Sequence, residues 1–123
     1  MEEEYKIIKR LKDSKLALVY LIEKNNKQYA LKQIKLELKE EELEQFKNII
    51  NDLSKINSEN IIKYHDIFMK NDTLNILMEN VGDNDLKQFI QNYKNKGEFI
   101  DGNLIRNIIL QICNGLKYYM KII

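Results

Sequence analysis

The chain has 123 residues, 44% of them hydrophobic and 32% charged, and its 20 Lys and Arg nearly balance its 19 Asp and Glu. This composition is typical of a globular unit, and the single Cys excludes a disulfide framework and a cysteine-rich zinc site. A net charge of +1 gives no reason to expect nucleic acid as a partner, and no apolar run approaches the roughly 20 residues that cross a membrane.

The first 35 residues favour strands. Apolar residues concentrate in Tyr5–Leu11, Leu16–Ile22 and Tyr29–Ile34. Turn-forming residues separate these runs at 13–15 and at 25–26. We therefore predict three short antiparallel strands.

A helix and a hairpin are predicted next. Between about Glu40 and Lys55, apolar residues recur every three or four positions, which is the spacing of one helix face. The runs Ile61–Lys70 and Thr73–Glu79 are rich in strand-forming residues, and the residues at 70–72 are typical of a tight hairpin turn.

After residue 81 the pattern is helical. Helices are predicted over about Leu86–Tyr93 and about Asn103–Tyr119. The second helix carries one apolar stripe, formed by Ile105, Ile108, Ile109, Ile112, Leu116 and Tyr119. The sequence thus predicts an α+β fold, with an α+β unit over residues 1–81 and a helical unit over residues 82–123.

Five segments match, in order, the motifs of one family. They are Val19-Tyr20, Tyr29-Ala30-Leu31-Lys32, Asn60-Ile61-Ile62-Lys63-Tyr64, Leu77-Met78-Glu79-Asn80-Val81 with Asp85-Leu86, and Gln111-Ile112-Cys113-Asn114-Gly115-Leu116-Lys117-Tyr118. Together they resemble the small lobe, the hinge and the first large-lobe helices of the eukaryotic protein kinases. The sequence pattern is most similar to that of the serine/threonine kinases related to NIMA.

The resemblance implies a fold and a nucleotide site. The fold is a kinase-like small lobe, a five-stranded antiparallel sheet with one helix, followed by two helices of an incomplete large lobe. The cofactors implied are ATP and Mg²⁺, with Lys32 contacting phosphate. Val19 and Ala30 would enclose adenine, Met78 would be the gatekeeper, and the hinge backbone at Glu79 and Val81 would contact the base.

The sequence departs from the family pattern in its phosphate-binding elements. The positions of the glycine-rich loop read Lys12 to Ala17, and no glycine precedes Gly82, so the backbone cradle for phosphate is lost. The Glu that pairs with the strand-three Lys falls at Ile49, so we expect Lys32 to lack its partner. Only a slipped helix would let Glu44 substitute.

Neither the H-R-D nor the D-F-G motif occurs in the chain, so we predict no catalytic residue and no metal site. One interpretation is a partial serine/threonine kinase domain that is inactive as this chain alone. The alternative is a non-catalytic, pseudokinase-like interaction or regulatory module, and a third is an unrelated α+β binding domain. Binding of Mg-ATP is expected to be weak or absent.

Several of these residues are also compatible with purely structural roles. Lys32 is also compatible with a solvated strand lysine, and Met78 with plain core. Asp85 is expected to cap its helix, and Cys113 to be a buried thiol.

The apolar stripe of the last helix needs a cover, so we expect a partner protein or the missing large lobe to bury it. The acidic residues at positions 2–4 do not match a secretory signal, which predicts a cytoplasmic protein.

Overall fold

A computed structural model describes residues 4–15, 17–82 and 84–122. The predicted α+β class and its five-stranded antiparallel sheet are confirmed. The elements in chain order are β1 (Lys6–Asp13), β2 (Ala17–Lys24), β3 (Lys27–Ile34), α1 (Glu40–Ser54), β4 (Tyr64–Lys70), β5 (Thr73–Glu79), α2 (Leu86–Asn95) and α3 (Gly102–Ile122).

The chain forms two compact units. The sheet unit comprises Met1–Asn57 and Ile62–Val81, and the helical unit comprises Ser58–Ile61 and Gly82–Ile123. The piece Ser58–Ile61 explains why β4 begins three residues later than predicted. Ile61 is buried, but it packs in the helical unit as part of a loop, so its apolar character does not signal a strand.

The sheet has the strand order β1-β2-β3-β5-β4, and every neighbouring pair is antiparallel. Two tight hairpins fix the register of β2 on β3 and of β4 on β5. Their central residues, Asn25 with Asn26 and Asn71 with Asp72, all have positive φ angles. Asn and Asp tolerate this left-handed backbone better than other non-glycine residues, and it matches the twist of the flanking strands.

Alternation along the strands divides the sheet into two faces. Ala30 and Lys32 lie on one of them, the Lys32 face, and Leu31 lies on the other, the Leu31 face. Leu31 is fully buried and forms a core cluster with Ile22 and Leu77. Burying such an aliphatic side chain contributes about 1.5–3 kcal/mol, so this cluster is a main source of the sheet unit's stability. Partly buried Tyr5, Tyr20, Tyr29 and Phe68 pack against it.

One polar side chain lies within this sheet. Asn75 is 1% exposed, and its Oδ1 accepts a hydrogen bond from Gln33 Nε2 at 3.0 Å. Its Nδ2 donates to the Thr73 carbonyl oxygen at 3.0 Å. Both ends of the amide are therefore satisfied, so the cost of burying it is offset.

Helix α1 packs along the edge strand β4. Its first turn carries Glu40, Glu41 and Glu42, and the Glu42 carboxylate accepts a hydrogen bond from the backbone N–H of Lys39 at 3.3 Å. Negative charge at this end interacts favourably with the helix dipole. Toward the other end of the helix, Leu53 is buried.

In the helical unit, Asp85 caps α2 as predicted, because its carboxylate accepts a hydrogen bond from the Gln88 N–H at 2.8 Å. The described helices include none that combines the length and the apolar character needed to cross a lipid bilayer.

The apolar stripe predicted on α3 is covered along one side only, so its residues fall into two adjacent lines. An inner line of Leu104, Ile108 and Tyr119 is half-buried and contains the buried Gly115. An outer line remains exposed and consists of Ile105, Ile109, Ile112 and Leu116. Cys113, expected to be buried, is also exposed, because it does not lie on the inner line.

Gly115 lies where the helical unit is most closely packed. A Cβ at this position would come within 3.0 Å of the Asn60 backbone carbonyl oxygen and 3.6 Å of the Ile61 side chain. A side chain at this position would require the Asn60 backbone to move by a few tenths of an ångström.

We predict that Gly115→Val destabilises the protein by about 1–3 kcal/mol, the usual cost of overpacking. The matched control is Gly102→Val at the start of α3, where a Cβ would meet nothing within 4 Å. Urea denaturation should show a lower midpoint for Gly115→Val alone. Equal midpoints in the two variants would contradict the packing role of Gly115.

Candidate functional site

Four of the predicted site residues lie together on the Lys32 face. Lys32 is opposite Val19 on β2, and Ala30 is opposite Met78 on β5. Directly opposed residues on antiparallel strands have Cβ atoms about 5 Å apart. The two hairpins and the β3–β5 pairing therefore bring these side chains into one patch.

The patch is apolar at one end and carries a charge at the other. Ala30 is 6% exposed, whereas Val19, Lys32 and Met78 are half-buried. Positions 30 and 32 of the same strand are separated by about 7 Å. A flat apolar group could lie over Ala30 while the Lys32 ammonium contacts an anionic group attached to it.

The structure adds two residues that the motif comparison missed. Leu21 is opposite Ala30 on β2, and Ile76 is opposite Lys32 on β5. Leu21 is buried and Ile76 is half-buried. Strand alternation could have revealed both, because each lies two residues from a predicted site residue on the same strand.

Glu79 and Val81 do not join this patch. Glu79 ends β5, where alternation places its side chain on the opposite face. Its carboxylate Oε2 accepts a hydrogen bond from the Lys63 N–H at 3.0 Å, and its own N–H donates to the Lys63 carbonyl oxygen at 2.8 Å. Val81 follows the strand and is 64% exposed. The Glu79 side chain thus joins the end of β5 to the residue before β4.

Lys32 makes no ion pair with the residues for which the structure gives positions. Ile49, the residue at the expected Glu position, is 51% exposed, and Glu44 is also exposed. No carboxylate of α1 therefore orients the Lys32 ammonium.

Ser14 and Ala17 are hydrogen-bonded to each other between β1 and β2. Ser14 N–H donates to the Ala17 carbonyl oxygen at 3.0 Å, and Ala17 N–H donates to Ser14 Oγ at 3.2 Å. Beside it, Arg10 pairs with the Asp13 carboxylate at 3.0 Å. Leu16, which belongs to the expected second strand, lies outside the described residues. Because the N–H groups of Ser14 and Ala17 already have acceptors, these two groups are not available to bind a phosphate.

The described residues therefore fit one part of the implied ATP better than another. The patch around Ala30 and Lys32 could hold a base with an attached anion, but the N–H groups of Ser14 and Ala17 are already bonded within the chain. Across the described ranges, no cluster of three or more His, Cys, Asp or Glu side chains could hold a metal ion.

Comparisons with known proteins point to one family. The family model described as "Protein kinase domain" matches residues 5–122. The chain is 32% identical over 82 residues, 65% of its length, to the probable serine/threonine-protein kinase nek2 of Dictyostelium discoideum, of which it covers 20%. It is 25% identical over an alignment of 130 positions, which takes in 96% of its length, to the serine/threonine-protein kinase Nek10 of Mus musculus, of which it covers 12%. The chain thus spans a fifth or less of the length of either relative.

His65 on β4 lies beside the Glu79–Lys63 junction. His65 is exposed, and its ring meets the Tyr29 ring edge-on, with centroids 5.0 Å apart. Partial burial, the largest cause, lowers the pKa of His65, and the positive charge of Lys63 lowers it further. The Glu79 carboxylate raises the pKa by less, and Lys27 adds a small lowering.

We predict that His65 makes the fold less stable in mild acid. A His whose pKa is lowered by folding binds its proton more readily in the unfolded chain. The contribution of neutral His65 to the free energy of unfolding is therefore complete above the unfolded pKa of about 6.5. It is lost as the pH falls through the folded pKa. Unfolding free energies measured at steps through this window should depend less on pH in His65→Gln than in the wild type. An NMR titration that places the folded pKa at or above the unfolded value would contradict this.

Proposed function

This chain belongs to the protein kinase family, and on that premise we propose that its sheet unit is the nucleotide-facing small lobe of a serine/threonine kinase domain related to NIMA. The helical unit would then be the start of the large lobe. The names of both relatives, each called a serine/threonine-protein kinase, support the substrate class. The observation that carries the proposal is the placement of Val19, Ala30, Lys32 and Met78 on one sheet face in register.

The proposed ligand is ATP. Its adenine would lie against Val19 and Ala30, and Met78 would limit how far the base enters the site. Lys32 would contact a phosphate. The hinge contacts of Glu79 and Val81 would come from backbone groups, which is compatible with the outward position of their side chains. When bound, Mg-ATP would supply the phosphoryl group that this family transfers.

Two features argue for weak binding and against transfer by this chain alone. The turn at Ser14 offers no backbone cradle, and Lys32 has no carboxylate that orients it. The chain also contains neither of the motifs that supply the base and the metal ligands in this family. The same features favour a second candidate function, a pseudokinase-like module that uses the kinase fold for protein interaction or regulation.

We predict that Lys32→Met abolishes any stabilisation by Mg-ATP. A ligand present at its dissociation constant adds only ~0.4 kcal/mol, which raises the melting temperature by about 2 °C. The thermal shift should therefore be measured at about 10 mM Mg-ATP. The control is Lys27→Met, which removes an exposed lysine from the start of the same strand and should keep the wild-type shift.

Two outcomes would count against the nucleotide site. Equal shifts in both variants would exclude Lys32 as a phosphate contact. No shift in the wild type at this concentration would favour the pseudokinase-like module.

We also propose that polypeptide outside these 123 residues covers the outer line of α3. Its four aliphatic side chains are each 42–53% exposed, and apolar patches of this kind mark interaction surfaces. The relatives are at least five times longer than the segment matched, so either further large-lobe sequence or a partner protein could provide the cover.

The 123-residue chain should self-associate through this line. Sedimentation velocity should show concentration-dependent oligomers that Ile109→Lys combined with Ile112→Lys disperses. Leu110→Lys is the control, because Leu110 is equally exposed but lies off the outer line. A well-folded wild-type chain that remains monomeric at all concentrations would refute the proposal that other polypeptide buries the outer line.

A further inference from the structure

The register of β5 on β3 is not set by a turn. Tight turns join β2 to β3 and β4 to β5, but α1 and β4 lie between β3 and β5 in the chain. Along the β3–β5 pair, Lys32 lies opposite Ile76 and Ala30 lies opposite Met78. Side-chain chemistry must therefore select this register, because neither turn acts on it.

Alternation alone rejects some register errors but not others. A slip of one residue would exchange the two faces of β5, and the core rejects it. A slip of two residues returns every side chain to its own face. On the Lys32 face such a slip would be tolerated, because the three β5 residues there, Leu74, Ile76 and Met78, are all aliphatic. Lys32 would move by about 7 Å along β5 and face a different aliphatic residue.

The Leu31 face of β5 carries a pattern that does reject this slip. Its one aliphatic residue in the pairing, Leu77, lies opposite Leu31, and polar Asn75 and Glu79 lie two positions to either side. A two-residue slip would bring an amide or a carboxylate opposite Leu31, which is fully buried. Burial of a polar group that has lost its partner is costly, so both directions of slip are opposed.

The Asn75 amide also has a partner that exists in one register alone. Gln33 lies directly opposite Asn75, and its Nε2 donates to Asn75 Oδ1 at 3.0 Å. The second bond of this amide, from Nδ2 to the Thr73 carbonyl oxygen at 3.0 Å, lies within β5 and would survive a slip. The bond from Gln33 crosses between the strands and would break, although Asn75 is 1% exposed. The amide pair therefore favours the observed register over its neighbours.

We propose that Asn75 and Gln33 are positioning residues, whose amide pair holds β5 in register on β3 and so keeps Lys32 opposite Ile76. Both residues lie on the Leu31 face, so neither touches the nucleotide proposed for the other face. The consequence for ATP rests on the proposed nucleotide site, whereas the consequence for the register does not.

The test removes the amide pair and measures the register directly. In Gln33→Met combined with Asn75→Leu, both polar groups are replaced by apolar groups of similar size, which need not lower stability. The aliphatic side chain at position 75 could then replace that of Leu77 opposite Leu31. Nuclear Overhauser effects should show a second register, with residue 31 close to residue 75. We expect the ratio of slipped to native register to rise by about tenfold or more.

Single variants separate the hydrogen bond from side-chain size. Gln33→Met removes the donor, whereas Gln33→Lys keeps a donor that can reach Asn75 Oδ1. The first should double the amide signals of β3 and β5, and the second should keep the single register of the wild type. The control is Gln28→Met, which removes an exposed amide from the same strand and should change nothing. Urea denaturation checks that each variant is folded.

Mg-ATP separates the register from the nucleotide site. The thermal shift at about 10 mM Mg-ATP should fall in the double variant and remain at the wild-type value in Gln33→Lys. If the wild type shows no shift, the proposed nucleotide site fails, and the register measurement still decides the roles of Asn75 and Gln33.

Two results would overturn the proposal. A single native register in the double variant would show that hydrophobic packing alone selects the pairing of β5 with β3. Equal doubling of signals in Gln33→Met and Gln33→Lys would show that the size of the side chain, and not its hydrogen bond, holds the register.

Discussion

The antiparallel register among β2, β3 and β5 is the constraint on which both sides of the sheet depend. It places Lys32 between Val19 and Ile76 on one face, and it places Leu31 in the buried cluster on the other. A slip of one residue would move a lysine into the core and a leucine into solvent, at a cost comparable to the whole stability of a small domain. Two tight hairpins whose central residues accept positive φ hold the register.

The same register gives the two faces of the sheet different chemistry. On the Lys32 face, a small buried side chain adjoins one cation, which suits a flat base with an anionic attachment. On the Leu31 face, bulky aliphatic and aromatic side chains form the core cluster. The alternation of a strand separates the proposed nucleotide patch from this core without any additional element, since neighbouring residues lie on opposite faces of one sheet.

Much of the fold could be predicted because its determinants are local. Alternation at Val19, Ala30 and Lys32 and helical spacing in α1 and α3 are visible in the sequence itself. The features that could not be predicted depend on contacts between segments that are distant in the sequence. Ile61 resembled the start of a strand because its burial comes from a loop. The division of the α3 stripe and the exposure of Cys113 depend on which side of that helix the rest of its unit covers.

The hydrogen bonds between Ser14 and Ala17 have a consequence for how the first two strands are held together. The N–H groups of both residues and the Ser14 hydroxyl find their partners within the chain itself. These bonds join the end of β1 to the start of β2 without the help of a bound phosphate.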